Sequence, residues 1–240
     1  MISHNSLMKI YEHYSFDLWM TLIKSNPAFK LERTKFFYNN FNTREKTIEE
    51  VGLIFRQIDV MCNAINEKTG GNIDAEEMYL MVISTINDYH YPLQEVKVAA
   101  LYAEMEELLL KYLPVAYSND TAKVLYELKQ KATDSTFSLL SNTAFIKGST
   151  LRKVLKRIEL YQYFDFQLYS DEIGMSKPNE KLFKLMVEAI LERRGLDNMD
   201  LKEILHIGDN PKADIWGAEK AGVSSLLINS NNLTISTLLN

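Results

Sequence analysis

Four short polar stretches each place a chemically capable side chain just after an apolar run or just before a helical one. Asp17 follows Tyr14-Ser15-Phe16, Ser141 follows Leu139-Leu140, and Asp209 follows Ile207-Gly208. Lys177 lies in Gly174-Met175-Ser176-Lys177-Pro178, ahead of a helical pattern. One carboxylate can attack as a nucleophile, and a second can help hold a divalent cation. A hydroxyl and an ammonium can bind the oxygens of an anion in transfer. Together they suit transfer of a group through a covalent aspartyl intermediate. A phosphoryl group repels an attacking carboxylate, and a cation held by Asp17 and Asp209 would screen that repulsion. Mg²⁺ fits, because it takes oxygen ligands and is commonly held by one or two carboxylates with phosphate and water. Lys177 and Ser141 would then bind the remaining phosphoryl oxygens.

These residues cooperate only if one edge of the fold collects them. An open parallel sheet does so, because ligands bind beyond the carboxyl ends of its strands. The run 14–18 reads as a strand followed by a loop. From Pro27 to Tyr112 the pattern is helical, with about four helices and no strand. Ile48, Val51, Ile54, Phe55, Ile58, Met61 and Ile65 form one amphipathic face. Gly70-Gly71-Asn72 ends that helix, and Asp74 with Glu77 starts the next as a capping box. Pro92 marks a further helix start. After Pro114 the pattern alternates. It predicts helices over 121–131, 151–158, 180–193 and 214–221, and strands over 136–140, 166–169, 204–207 and 224–228. Such alternation predicts an α/β, Rossmann-like parallel sheet with helices on both faces. The all-helical stretch is an insertion after the first strand. The polar tail 229–240 is expected to pack loosely.

The bulk properties narrow the function. The 240 residues carry 46% hydrophobic and 25% charged residues with a formal net charge of −5, and the pI is about 5.5. An acidic chain argues against a nucleic-acid partner, while a metal and a few local cations still permit a phosphorylated small-molecule substrate. The one cysteine, Cys62, excludes a disulfide within the chain, fits a reducing cytoplasm and is expected to pack in a core. Residues 1–14 show no secretory pattern, and no apolar run of about 18 residues predicts a membrane span. Oligomeric state is not encoded in these features.

The chain resembles the haloacid dehalogenase-like hydrolase superfamily. The resemblance rests on Phe16-Asp17-Leu18-Trp19-Met20-Thr21-Leu22, Leu139-Leu140-Ser141-Asn142-Thr143, Ser176-Lys177-Pro178, and His206-Ile207-Gly208-Asp209-Asn210 followed by Asp214. These correspond to the family's four motifs in the family's order. The helical insertion resembles the family's C1-type cap, which implies a core domain of residues 1–24 and 114–240 and a helical cap of 25–113. The resemblance implies Asp17 as nucleophile, Ser141 and Lys177 as phosphate-site residues, and Asp209 as a Mg²⁺ ligand. It implies that the Trp19 backbone carbonyl also binds the metal. Asp214 would lie near the metal through water or pair with Lys177.

One position departs from the pattern. Family phosphatases carry a second aspartate two residues after the nucleophile, which protonates the leaving group and then activates water. Here that residue is Trp19, whose indole N–H donates a hydrogen bond but does not shuttle a proton. The next residue, usually glycine, is Met20. Three readings are compatible with this. The favoured one is a Mg²⁺-dependent phosphatase with impaired or relocated acid–base catalysis. The second is a metal-independent 2-haloacid dehalogenase-like hydrolase, whose family members carry tyrosine here and whose halide leaves unprotonated. The third is a binding or regulatory module with a vestigial site. Asp214 beside Asp209 favours a metal site over the second reading. Asn142 and Trp19 are further candidates for lining the substrate pocket. His206 reads as a hydrogen-bonded core histidine and the candidate if a replacement proton carrier is sought. His13 and His90 receive no role.

Overall fold

The computed structural model describes residues 9–240; part of the leader expectation, on residues 1–8, lies outside them. At the centre is β1 (His13–Phe16), all four residues of which are buried. It is flanked on one side by β4 (Thr136–Ser141) and on the other by β6 (Ile204–Gly208). With β5 (Phe166–Tyr169) and β7 (Ser224–Leu227) outside them, the order is β5-β4-β1-β6-β7. Every pairing is parallel, with Phe16 opposite Leu139 on one side and Ile207 on the other. A central strand buried on both faces must be apolar throughout or satisfy its polar side chains internally. His13 and Ser15 do the latter: His13 bonds Thr136 and Ser138, and Ser15 bonds His206.

The chain runs outward from β1 through β4 to β5, then crosses to the other side of β1 for β6 and β7. This divergence opens a crevice at the carboxyl ends of β1, β4 and β6, where open α/β sheets bind ligands. Helices α5 (Thr121–Lys131), α6 (Gly148–Arg157), α7 (Ser170–Ile173), α8 (Glu180–Arg194) and α9 (Gly217–Lys220), numbered after the four of the insertion, connect the strands.

The insertion contains α1 (Pro27–Phe41), α2 (Ile48–Thr69), α3 (Ala75–Ile86) and α4 (Val98–Lys111). Thr47 and Glu50 form a capping box at the start of α2, and Gly70, left-handed at φ 73°, ends it. Asp74 and Glu77 form the second box. An antiparallel pair, β2 (Ile23–Lys24) with β3 (Val115–Ala116), joins the two ends of the insertion. Two-residue strands leave no periodic signal, so this pair is not legible in the pattern.

Three sequence expectations are corrected. Pro92 starts only a 3₁₀ turn, Leu93–Glu95, and α4 begins at Val98. The helix expected over 214–221 is a π-helical turn, Pro211–Trp216, followed by the four-residue α9. The tail is not loose: Ile235–Leu239 forms a 3₁₀ turn that buries Ile235 and Leu238 against α5. Two apolar residues three apart suffice to dock a segment whose average composition is polar.

Candidate active site

Asp17 is the first residue beyond β1, and its N–H still donates to the Ile207 carbonyl at 2.8 Å. The chain then folds back on itself. The N–H groups of Leu22 and Ile23 both donate to the Leu18 carbonyl, and that of Met20 donates to the Ile23 carbonyl at 2.7 Å. Leu18, Leu22 and Ile23 are fully buried and anchor this loop. Met20 sits at its exposed tip with φ 60°, a left-handed conformation that glycine adopts at lower cost. The fold-back returns Thr21 to the site, where its hydroxyl donates to Asp17 Oδ2 at 3.0 Å and lies 3.4 Å from Asp209 Oδ1.

Lys177 is buried between two carboxylates. Its Nζ donates to Asp17 Oδ1 at 2.7 Å and to Asp214 Oδ1 at 2.6 Å. Asn142 fixes the lysine's backbone from both sides: Lys177 N–H donates to Asn142 Oδ1 at 2.7 Å, and Asn142 Nδ2 donates to the Lys177 carbonyl at 3.0 Å. The insertion adds support, since the Ser176 N–H and Asn179 Nδ2 both donate to the Gly70 carbonyl. Asp214 also contacts His206 Nε2 at 3.2 Å and accepts from the Asn210 N–H at 2.9 Å, so both its oxygens are engaged by protein groups. Gly208 allows this close packing, because a Cβ there would collide with the Asp214 carboxyl.

Among the residues expected in the site, Asp17, Lys177, Asp209 and Asp214 converge, and Trp19 and Asn142 line the same cleft. Ser141 is different. It is fully buried, its hydroxyl donates to the Asn142 carbonyl at 3.1 Å, and it is not on the cleft wall. His206 is also buried off the wall, edge-on to Phe183.

The electrostatics follow from three carboxylates sharing one ammonium. Burial pushes the Asp17 carboxyl up to about 7; Lys177 opposes this, while Asp214 and Asp209 add to it. Burial and then Asp214 raise Asp209 to about 6. Burial acts upward on Asp214 too, but the Lys177 charge and the His206 and Lys177 hydrogen bonds outweigh it and hold this group well below the carboxylate range. Burial lowers Lys177, yet the two carboxylates win and raise it. Burial lowers His206, with the Asp214 hydrogen bond acting against it. One oxygen from each of Asp17, Asp209 and Asp214 lies within 4.8 Å of the others. When all three are ionised, two carboxylate charges exceed the one ammonium, and oxygen donors at that spacing match the ligand chemistry of a hard divalent cation. Asp209 is the least engaged of the three.

The site opens into a cleft of about 960 Å³ between core and insertion. Its floor includes Asp17, Trp19, Asn142, Lys177 and Asp209, and its roof includes Phe29, Arg33, Phe55, Asp59 and Glu67. Glu67 ties roof to floor, accepting from Asn210 Nδ2 at 3.0 Å and pairing with Lys212 at 3.2 Å. Two residues of the site carry no role from the sequence alone: Thr21, although it stands in the first motif, and Arg33. A signal for Arg33 is nonetheless present, since it lies four residues after Phe29 and four before Phe37, in the buried stripe of α1.

A family profile described as haloacid dehalogenase-like hydrolase matches residues 14–228. The pyrimidine 5'-nucleotidase YjjG of Escherichia coli is 36% identical over 85 residues, covering 35% of each chain. A glyceraldehyde 3-phosphate phosphatase of Methanothermobacter thermautotrophicus is 29% identical over 184 residues, covering 77% of this chain and 70% of that one. The chain spans only about a third of the length of the first curated relatives that it matches, 38%, 35% and 30%. The fold resembles that of the HAD hydrolase YfnB of Bacillus subtilis, solved bound to magnesium, with a TM-score of 0.69 at 19% identity over 93% of this chain and 91% of that one.

Proposed function

The chain belongs to the haloacid dehalogenase-like hydrolases, and from that premise we propose that it is a Mg²⁺-dependent phosphatase of a small phosphorylated molecule, working through an aspartyl-phosphate at Asp17. The observation that carries this reading is the placement of Asp17 Oδ1 against Lys177 Nζ, beside two further carboxylates in the crevice of the sheet. The relatives named as phosphatases and a nucleotidase support the same reaction class.

Asp17 and Asp209, with the backbone carbonyl of Trp19, would hold Mg²⁺. The ion would supply positive charge to the phosphoryl oxygens and screen them from the attacking carboxylate. An Asp17 carboxylate oxygen attacks phosphorus, the bond from phosphorus to the leaving oxygen breaks, and its electron pair departs with that oxygen. Water then attacks phosphorus, the bond to Asp17 breaks, and phosphate is released with the carboxylate restored. Lys177 orients Asp17 and offers charge to the phosphoryl group. Asn142 positions Lys177 through its backbone, and Thr21 fixes the second oxygen of Asp17. Asp214 holds Lys177 and does not bind the ion directly, because its oxygens are engaged.

Trp19 leaves the leaving oxygen without a side-chain acid at the family's position. Leaving-group departure in the first step is then slowed most for alkyl esters, and hydrolysis of the common aspartyl-phosphate is slowed equally for every ester, since general acid–base help contributes roughly 10²–10⁴-fold. The helices of residues 25–113 act as the cap that covers the cleft and selects substrate. A single buried cysteine, with Cys62 packed beside Met81, fits a reducing, cytoplasmic setting.

The test is release of phenolate from an aryl phosphate with Mg²⁺, for wild type and Asp17→Asn. This reading expects Mg²⁺-dependent release lost in the variant. Equal rates would remove Asp17 from the reaction. Halide release from a short 2-haloacid that survives chelation would replace this reading with the dehalogenase one. Absence of both activities, with no binding of beryllium fluoride at Asp17, would leave the vestigial module.

A further inference from the structure

Helix α1 turns Phe29, Arg33 and Phe37 toward the interior at four-residue spacing. Arg33 is only 9% exposed, yet it lies on the wall of the cleft. Its guanidinium stacks on the Phe55 ring at 4.0 Å and sits 4.9 Å from Phe145 and 5.4 Å from Phe29. Its Nε is buried without a hydrogen-bond partner, and among the described residues Arg33 makes no ion pair. Asp59 of α2, on the same wall, is the carboxylate whose charge Arg33 feels, but the two are not within ion-pair distance. A buried charge is retained at a cost unless something pairs with it. The phenyl faces supply attraction but no acceptor, and the nearby Tyr79 hydroxyl is a neutral group that leaves the guanidinium's charge without a counter-ion on the cleft wall.

We propose that Arg33 binds a second anionic group of the substrate, a carboxylate or a second phosphate, at the end of the cleft roofed by α1 and α2, so that the protein selects phosphomonoesters carrying such a group. A guanidinium matches either anion through two parallel hydrogen bonds. Stacking on Phe55 holds its plane before ligand arrives, which lowers the ordering cost of binding. The cleft, about 960 Å³, is far larger than one phosphoryl group needs. This inference rests on the phosphatase reading for its substrate class, but its test does not require turnover.

The experiment measures binding of non-hydrolysable phosphonates to the full-length protein with Mg²⁺ by titration calorimetry. The ligands are ω-phosphonocarboxylates and α,ω-bisphosphonates of two to six carbons, each against the alkylphosphonate of equal length. Wild type is expected to prefer the doubly anionic member by at least about tenfold at one chain length, since a site built to pair with a group rejects the analogue that lacks it. Whether carboxylate or phosphonate wins identifies the second group. In Arg33→Met, which keeps an unbranched apolar stem against Phe55, the ratio is expected to fall to near one. Arg33→Lys is expected to keep part of it. A ratio near one in wild type overturns the proposal even if the methionine variant fails to fold, and so does a ratio that persists in Arg33→Met. If the ratio behaves as expected but no phosphomonoester is hydrolysed, the phosphatase reading fails and the anion subsite stands.

Discussion

Lys177 and Asp17 meet through a 2.7 Å contact between Nζ and Oδ1, and the two side chains are 1% and 9% exposed. They stand 160 residues apart in the chain. The contact links fold and chemistry, because the same ammonium that orients the nucleophile also neutralises Asp214 at 2.6 Å.

Removing that ammonium leaves two buried carboxylates beside Asp209 with no cation from the protein. Lys177→Met is therefore expected to destabilise the fold by about 3–5 kcal/mol, the range for breaking one partner out of a buried pair. Urea unfolding without metal measures this. A loss under about 1 kcal/mol would mean that the carboxylates are neutral in the fold and that the pair contributes little.

Trp19→Asp returns a carboxyl to the position from which family phosphatases protonate the leaving group. Turnover of an alkyl phosphate is expected to rise, with about 10²-fold as the lower end of what a placed acid contributes. An aryl phosphate should gain less in the first step, because its leaving group needs little protonation. Comparing kcat for the two esters checks this. No gain with either would point to a proton carrier elsewhere on the cleft wall.

His13 makes stability depend on pH. Burial is the leading cause that lowers its pKa from 6.5 to about 3, and both ring nitrogens are occupied by Thr136 and Ser138 hydroxyls at 2.7 and 2.8 Å. The unfolded chain gains a proton on this residue below about pH 6.5, whereas the folded one does not until about pH 3. Stability is thus complete above 6.5 and falls as pH drops from 6.5 toward 3, by at most about 1.4 kcal/mol per pH unit. His206, also lowered by burial, adds a loss of the same sign. Urea midpoints between pH 4 and 7 test the slope, which should become shallower in His13→Gln. An unchanged slope would show that His13 takes no part.

Much of this fold and site is legible in the sequence, and the reasons are physical. Asp17, Lys177, Asp209 and Asp214 stand where strands or their following loops end, and a parallel sheet collects such ends at one edge. Long, periodic elements such as α2 and α8 can be read from their apolar spacing. What escapes the sequence is set by three-dimensional return of the chain. Thr21 reaches both carboxylates only because the loop from Leu18 to Ile23 folds back on its own carbonyls. Ser141 closes a largely apolar strand, and its hydroxyl donates to the neighbouring Asn142 carbonyl. Asn142 lines the pocket as its motif suggests, and its amide also clamps the Lys177 backbone, which no motif spells out. Arg33 is hidden among aromatics, because a charged residue on an apolar stripe carries meaning only once its surroundings are known.

The proposed reaction turns on a covalent intermediate, and its missing acid–base group makes that intermediate long-lived. The most direct measurement is rapid-quench mixing of the protein with an aryl phosphate and Mg²⁺, followed by borohydride reduction and mass spectrometry of the peptide holding residue 17. The mechanism predicts a burst of about one equivalent of phenolate before a slow steady rate, with reduction of Asp17 that requires both substrate and Mg²⁺. Turnover with no burst and no modification of Asp17, or with the intermediate trapped on another residue, would contradict it.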